Sequence, residues 1–275
     1  MKRLIVNADD YGLCKGVVDG IIEAHRRGIV TSASVMAGGQ AFDYGVEQSR
    51  SNPKLSLGVH LTLVEERPVS ANPGTLAQSD GWLPHSYPAL LTGILMRRIR
   101  LGDVERELRA QIEKCFSAGL RPAHLDSHQH VHTLPAILRI VLQLAREYGI
   151  SRVRLPRDSP GRHGAMRGDR FWQKAALCWL ARYDAGRFQD KEISFRYPIT
   201  GLFESGALTE SRLLGILDQI PEGTTELVCH PGWEDPACKE DYAHWGYHWE
   251  IEEQALTSAA VRARIHARGI ELVTA

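Results

Sequence analysis

The chain has 275 residues, enough to bury a substantial core within one large domain. Lys plus Arg and Asp plus Glu both number 33, so the formal net charge is zero, which gives no electrostatic reason to expect nucleic acid or an anionic membrane as the main partner. No stretch reaches the roughly 18 apolar residues of a spanning helix, and Leu4–Val6 is too short for the apolar centre of a secretion signal.

Leu4–Asn7 predicts a buried strand. From Gly16 to Arg27, Val17, Ile21 and Ala24 recur on one helical face, and Gly28 suits the left-handed residue that closes a helix. Ser32–Met36 and the alternating Leu55–Leu63 predict the second and third strands. Val69–Tyr87 reads as a long loop, and the apolar Leu90–Met96 as core. Val104–Ala118 predicts a helix closed by Gly119, Ala123–Ser127 a strand, Leu134–Tyr148 a helix ended by Gly149, and Arg152–Leu155 another strand. Pro156–Arg170 is a second long loop, of a length that commonly serves as a lid or binding loop. Phe171–Tyr183, Glu210–Gln219 and Ile251–Arg268 predict helices, with strands at Leu227–Cys229 and Glu271–Thr274. The helix Phe171–Leu180, with Trp172 and Trp179, reads as core in the same way as Leu90–Met96, with a lipid-facing role for either stretch as the alternative.

This alternation places the chain in the α/β class, with a mostly parallel sheet. About seven such units in a single domain, residues 1–275, point to a distorted (β/α) barrel of TIM-like form, with an open doubly wound sheet as the rival. In either architecture a functional site gathers at the carboxyl ends of the strands. The five cysteines are scattered, with no C-x-x-C pair, so reduced thiols and a cytoplasmic location are expected. Peripheral membrane contact and a homodimer both stay open.

Four stretches at strand ends hold the unusual residues: NADDYG (Asn7–Gly12), GVHLTL (Gly58–Leu63), HLDSHQHVH (His124–His132) and VCHPGWED (Val228–Asp235). Taken alone, His60 reads as a core histidine, Asp9–Asp10 equally as a helix cap with a solvated neighbour or as a functional pair, and His230 as a loop residue. The third stretch is different, because four imidazoles around a carboxylate are hard to explain as packing. Neutral imidazole and carboxylate suit Zn²⁺ and similar divalent ions, and a catalytic site typically takes three protein ligands. Residues spaced by two on a strand share a face, so His124, Asp126 and His128 would look the same way if the strand runs that far; His130 and His132 fall in the turn before Leu134. His244 and His248 sit among Trp233, Trp245 and Trp249, where aromatic packing or a sugar platform is expected.

In order and spacing, these four motifs resemble the YdjC-like carbohydrate deacetylases along essentially the whole chain, as does GIVTSASVMAGG (Gly28–Gly39). RVRLPRD (Arg152–Asp158) and the Arg-rich loop after it look most like the hopanoid-biosynthesis HpnK branch. The resemblance implies a distorted barrel, one divalent metal ion, Zn or Mg, and hydrolysis of the N-acetyl group of an acetylated amino sugar or glycolipid substrate. It further implies Asp10, His60 and His128 as metal ligands, Asp9 as general base, and His230 as an acid or substrate contact. His124, Asp126, His130, Arg154 and Arg157 then orient ligands, manage protons or meet substrate. Tyr11 departs mildly from the phenylalanine common at that place. A different metal hydrolase (phosphoesterase or amidohydrolase) and a metal- or glycolipid-binding module are the alternatives. An adjacent carboxylate pair beside three imidazoles speaks against the module, since binding alone needs no spare base.

Overall fold

A computed structural model describes residues 1–158, 169–188, 192–195 and 197–275. The strands are β1 (Lys2–Tyr11), β2 (Ser32–Val35), β3 (Ser56–Leu61), β4 (Leu125–Ser127), β5 (Ile199–Thr200), β6 (Gly223–Cys229) and β7 (Ile270–Leu272). The helices are α1 (Lys15–Arg26), α2 (Phe42–Arg50), α3 (Tyr87–Leu95), α4 (Leu101–Ser117), α5 (Pro135–Glu147), α6 (Asp169–Arg187), α7 (Glu210–Asp218), α8 (Pro236–Tyr242), α9 (Trp249–Thr257) and α10 (Ala259–Ala267).

All strand pairs are parallel, and the sheet order is β4-β3-β2-β1-β6-β5. Parallel neighbours need crossover connections, and the helices between the strands supply them. β7 pairs with Lys2–Leu4 of β1, below the point where Asn7 meets Ser32 of β2. Isolated bridges join Leu125 to Val153 and Arg152 to Ser194, which curls the β4 edge toward the β5 side as a distorted, barrel-like sheet. The expected strand Arg152–Leu155 is reduced to these two bridges. One apolar cluster runs from Leu4 to Ile270, and β1 contributes Leu4, Val6 and Ala8 to its centre. Strands buried on both faces read as continuous apolar runs, which is why β1 and β6 were legible.

Three further expectations change. Ile251–Arg268 is two helices, because the Ser258 hydroxyl accepts from Ala260 and Val261 N–H and so caps a new start. Neither apolar stretch read as core is wholly so. In α3 only Leu90 is fully enclosed, while Leu95 and Met96 are exposed; in α6 Cys178 and Ala181 are buried and Trp179 is exposed. Cys14 and Cys238 form a disulfide, so only Cys115, Cys178 and Cys229 are free thiols, and the argument for a cytoplasmic location from five reduced thiols fails. Most of the Pro156–Arg170 loop lies outside the described residues, and with it Arg162 and Arg167. Among the described residues no helix is long and apolar enough to cross a membrane.

Candidate metal and active site

The four motifs meet at the carboxyl ends of β1, β3, β4 and β6. Neighbouring strand residues normally point to opposite faces. Here Asp10 takes a left-handed conformation (φ 64°), and the β1–β2 register breaks between Ala8 and Tyr11. The kink carries Asp9 and Asp10 into one buried cluster. β4 stops at Ser127, and a 3₁₀ turn, His128–Thr133, takes over with Gln129 and His130 both left-handed (φ 50° and 54°). Such conformations cost of order 1–3 kcal/mol each and persist where the surroundings fix them.

Ligand atoms of Asp10, His60 and His128 all lie within 4.8 Å of one another. His60 Nε2 and His128 Nδ1 each stand 3.3 Å from Asp10 Oδ1. Asp10 Oδ2 and His128 Nε2 are buried without a hydrogen bond. His60 donates from Nδ1 to Asp126 Oδ1 at 2.8 Å, which leaves its Nε2 as a lone pair facing the triad. Burial pushes the Asp10 carboxyl up, but the imidazoles of His128 and His60 beside it carry it well below the usual range. Burial likewise lowers His128, yet Asp10 and Glu65 raise it overall. The cluster thus favours a positive charge at its centre, and one carboxylate with two imidazoles fits a divalent ion. Asp9, His60 and Asp126 also converge within 4.8 Å. That second trio is a poor cation site, because Arg154 already stands among its carboxylates.

Arg154 is the hub beneath the triad. It donates to Asp9 with both terminal nitrogens, at 2.9 and 2.7 Å, and also pairs with Asp126 and, through Nε at 3.2 Å, with Glu226. Asn7 donates to Asp9 Oδ1 and to Ser34 Oγ, both at 2.8 Å. Ser34 gives its proton to Asp126 Oδ2 at 2.6 Å, so His124 Nε2 must be the donor in its 3.0 Å contact with Ser34. Burial pushes Asp9 up by more than Arg154 pulls it down. His132 is fixed as a neutral strut: its Nε2 donates to the Arg154 carbonyl at 2.6 Å, its Nδ1 accepts from Ser127, and burial lowers it to about 4.

The remaining residues divide. The His230 ring packs on Tyr247 at 4.7 Å, the His230 backbone N–H donates to Glu252 at 2.6 Å, and burial lowers the imidazole to about 3. His130 is buried with Nδ1 unpaired, and burial carries it well down. Arg157 is brought elsewhere, where it donates to the Phe195 carbonyl. Trp245 lies 4.5 Å from the His128 ring, and Tyr242 lies 4.7 Å from Trp245, so aromatic packing encloses the triad on that side. His244 contributes to that packing and reaches Glu65 at 3.1 Å. The sequence pointed to aromatic packing around Trp245 but assigned nothing to Ser34, Glu226 or Glu65. The available signal was polar residues on apolar strands, as in SASV of β2 and ELVC of β6.

The profile of the YdjC-like protein family matches residues 3–267. The chain belongs to that family. It is 35% identical over 275 residues to the carbohydrate deacetylase of Geobacillus stearothermophilus, covering 99% of this chain and 96% of that one. It is also 35% identical over 244 residues to the carbohydrate deacetylase of Oceanobacillus iheyensis, covering 88% and 90%. Among solved structures it resembles an Enterococcus faecalis V583 protein whose name assigns it provisionally to cellobiose-phosphate cleavage. That likeness has a TM-score of 0.74 and 30% identity over 99% of this chain and 97% of the other.

Proposed function

We propose that this YdjC-like protein is a metal-dependent hydrolase that removes the N-acetyl group from an acetylated amino sugar. The observation that carries the reading is the convergence of Asp10, His60 and His128 beside a separate carboxylate, Asp9, that is oriented by Arg154. The curated relatives named as carbohydrate deacetylases support it. A divalent ion held by the triad supplies Lewis acidity at the amide carbonyl and acidifies water. Two imidazoles and one carboxylate suit Zn²⁺ better than Mg²⁺, which prefers oxygen ligands.

The chain's own residues do the rest. Asp126 fixes the His60 tautomer. Asp9 takes the proton of the attacking water, and Arg154 and Asn7 hold its oxygens in place. Burial keeps His230 neutral near pH 7, so it contacts the substrate while the departing amine receives the proton that Asp9 took from the water; His130 is the alternate contact. Such proton transfer is typically worth about 10²–10⁴ in rate. At the finer level, RVRLPRD supports a hopanoid lipid carrying an N-acetylglucosaminyl head as the substrate.

Acetate release from a panel of acetylated amino sugars, with a phosphoester as control, tests the activity. Mass spectrometry of lipid and sugar extracts from cells with and without the protein tests the substrate, which should shift by one acetyl group. Turnover of the phosphoester alone, or stoichiometric metal binding without any turnover, overturns the reading.

A further inference from the structure

At the end of α3 the chain presents an apolar tip ringed by cations. Leu95 is 73% exposed and Met96 59%, with Leu101 at 41%. Arg97, Arg98 and Arg100 are exposed beside them, and among the described residues no ion pair engages any of the three. From Gly81 to Gly102 the sequence holds these three arginines and no Asp or Glu. A chain of zero net charge thus carries a local basic patch.

The corner is built rigidly. Arg97 N–H bonds the Ile94 carbonyl at 3.0 Å and Arg98 N–H the Gly93 carbonyl at 2.8 Å, the paired pattern that ends a helix with one left-handed residue. That residue is normally glycine, yet here it is Arg97, at φ 58°. Ile99 folds back over Gly93, where a Cβ would meet Ile99 Cδ1 at 2.5 Å. The fold therefore tolerates backbone strain to keep a cation next to Leu95 and Met96.

We propose that this corner docks the protein on an anionic lipid surface, with Leu95 and Met96 entering the acyl boundary and Arg97, Arg98 and Arg100 meeting the headgroups. Shallow apolar insertion combined with adjacent cations is the chemistry by which peripheral proteins bind anionic leaflets. The proposal stands apart from the deacetylase reading, because neither requires the other.

Vesicle sedimentation of the full chain tests it. Binding is expected to vesicles of phosphatidylcholine with phosphatidylglycerol, not to phosphatidylcholine alone, and it should vanish near 1 M salt, where the Debye length is about 3 Å. Arg97→Gln, Arg98→Gln and Arg100→Gln together should weaken binding by about 10²-fold. Leu95→Glu with Met96→Glu should abolish it while metal content and melting temperature hold. Arg97→Gly removes the strain, so this variant should melt no lower than the natural chain yet bind vesicles more weakly. Absence of binding by the natural chain, or equal binding by the Leu95→Glu, Met96→Glu variant, overturns the proposal. So does a dimer in light scattering that this variant dissociates, which would make the corner a contact between copies.

Discussion

Asp9 and Asp10 are neighbours in sequence with opposite surroundings. Asp10 is bracketed by imidazoles, whereas both oxygens of Asp9 accept from Arg154. Under the proposed roles, Asp9→Asn should keep the metal and lose turnover by about 10² or more, since an amide cannot take a proton. Asp10→Asn should release metal, with activity partly restored by excess ion. Metal analysis alongside acetate release separates the two, and the reverse pattern would exchange the roles. His132 offers a test that needs no substrate. It is buried at about 4, below the ordinary imidazole value near 6.5. The unfolded chain therefore takes up that proton first, and stability falls as pH drops from about 6.5 to about 4. The full effect is about 3 kcal/mol. Thermal melts across that window should steepen toward acid, and His132→Gln, which keeps a donor and an acceptor, should flatten the curve.

At the scale of elements, β3 shows what a strand contributes beyond its ligand. A Cβ on Gly58 would stand 2.4 Å from the His124 ring, so the glycine of GVHLTL makes room for the histidine that supports Ser34 and Asp126. Gly58→Ala should cost about 1–3 kcal/mol by overpacking. Combined with His124→Ala, the two losses should sum to less than their separate costs, because the clash is gone; additive melting shifts would show that the two positions are independent. This contact pairs residues 66 apart in sequence, which is why no periodicity revealed it. The strand and helix pattern was legible because buried parallel strands and amphipathic helices leave local signatures, as in Leu4–Asn7 and Leu134–Tyr148. Asp10, His60 and His128 were named only through the family resemblance of the motifs, and the structure brings these three side chains together. What was hidden was mostly non-local: the carboxylates that Arg154 gathers and the closure of Trp245 over His128; the local cap at Ser258, which divides a continuous helical pattern, was missed as well.

For the whole molecule, the decisive long-range constraint is Cys14–Cys238, which joins residues 224 apart with Cα atoms at 6.0 Å. Cys14 immediately follows the Asp9–Gly12 turn and precedes α1, and Cys238 lies in α8, just before Tyr242 and Trp245. The bridge thus ties the turn that supplies Asp10 to the segment that packs over His128, where Gln40 to Asp241 at 2.6 Å and Tyr242 to Glu66 at 3.2 Å add weaker ties. Spacing could not reveal the pair, since scattered cysteines in sequence say nothing of proximity in the fold. Both sulfurs are enclosed, so a thiol reductant gains access only when α8 opens. Thiol titration of the denatured, unreduced chain should therefore find three free thiols, Cys115, Cys178 and Cys229, and five after reduction. Cys14→Ser with Cys238→Ser should lower stability by about 2–4 kcal/mol in denaturant titration. Proteolysis should then cut first in residues 236–246, whose tether to α1 is gone. Five thiols before reduction, or an unchanged denaturation midpoint in the double variant, would show that the hydrogen bonds and aromatic packing alone hold the segment over the triad.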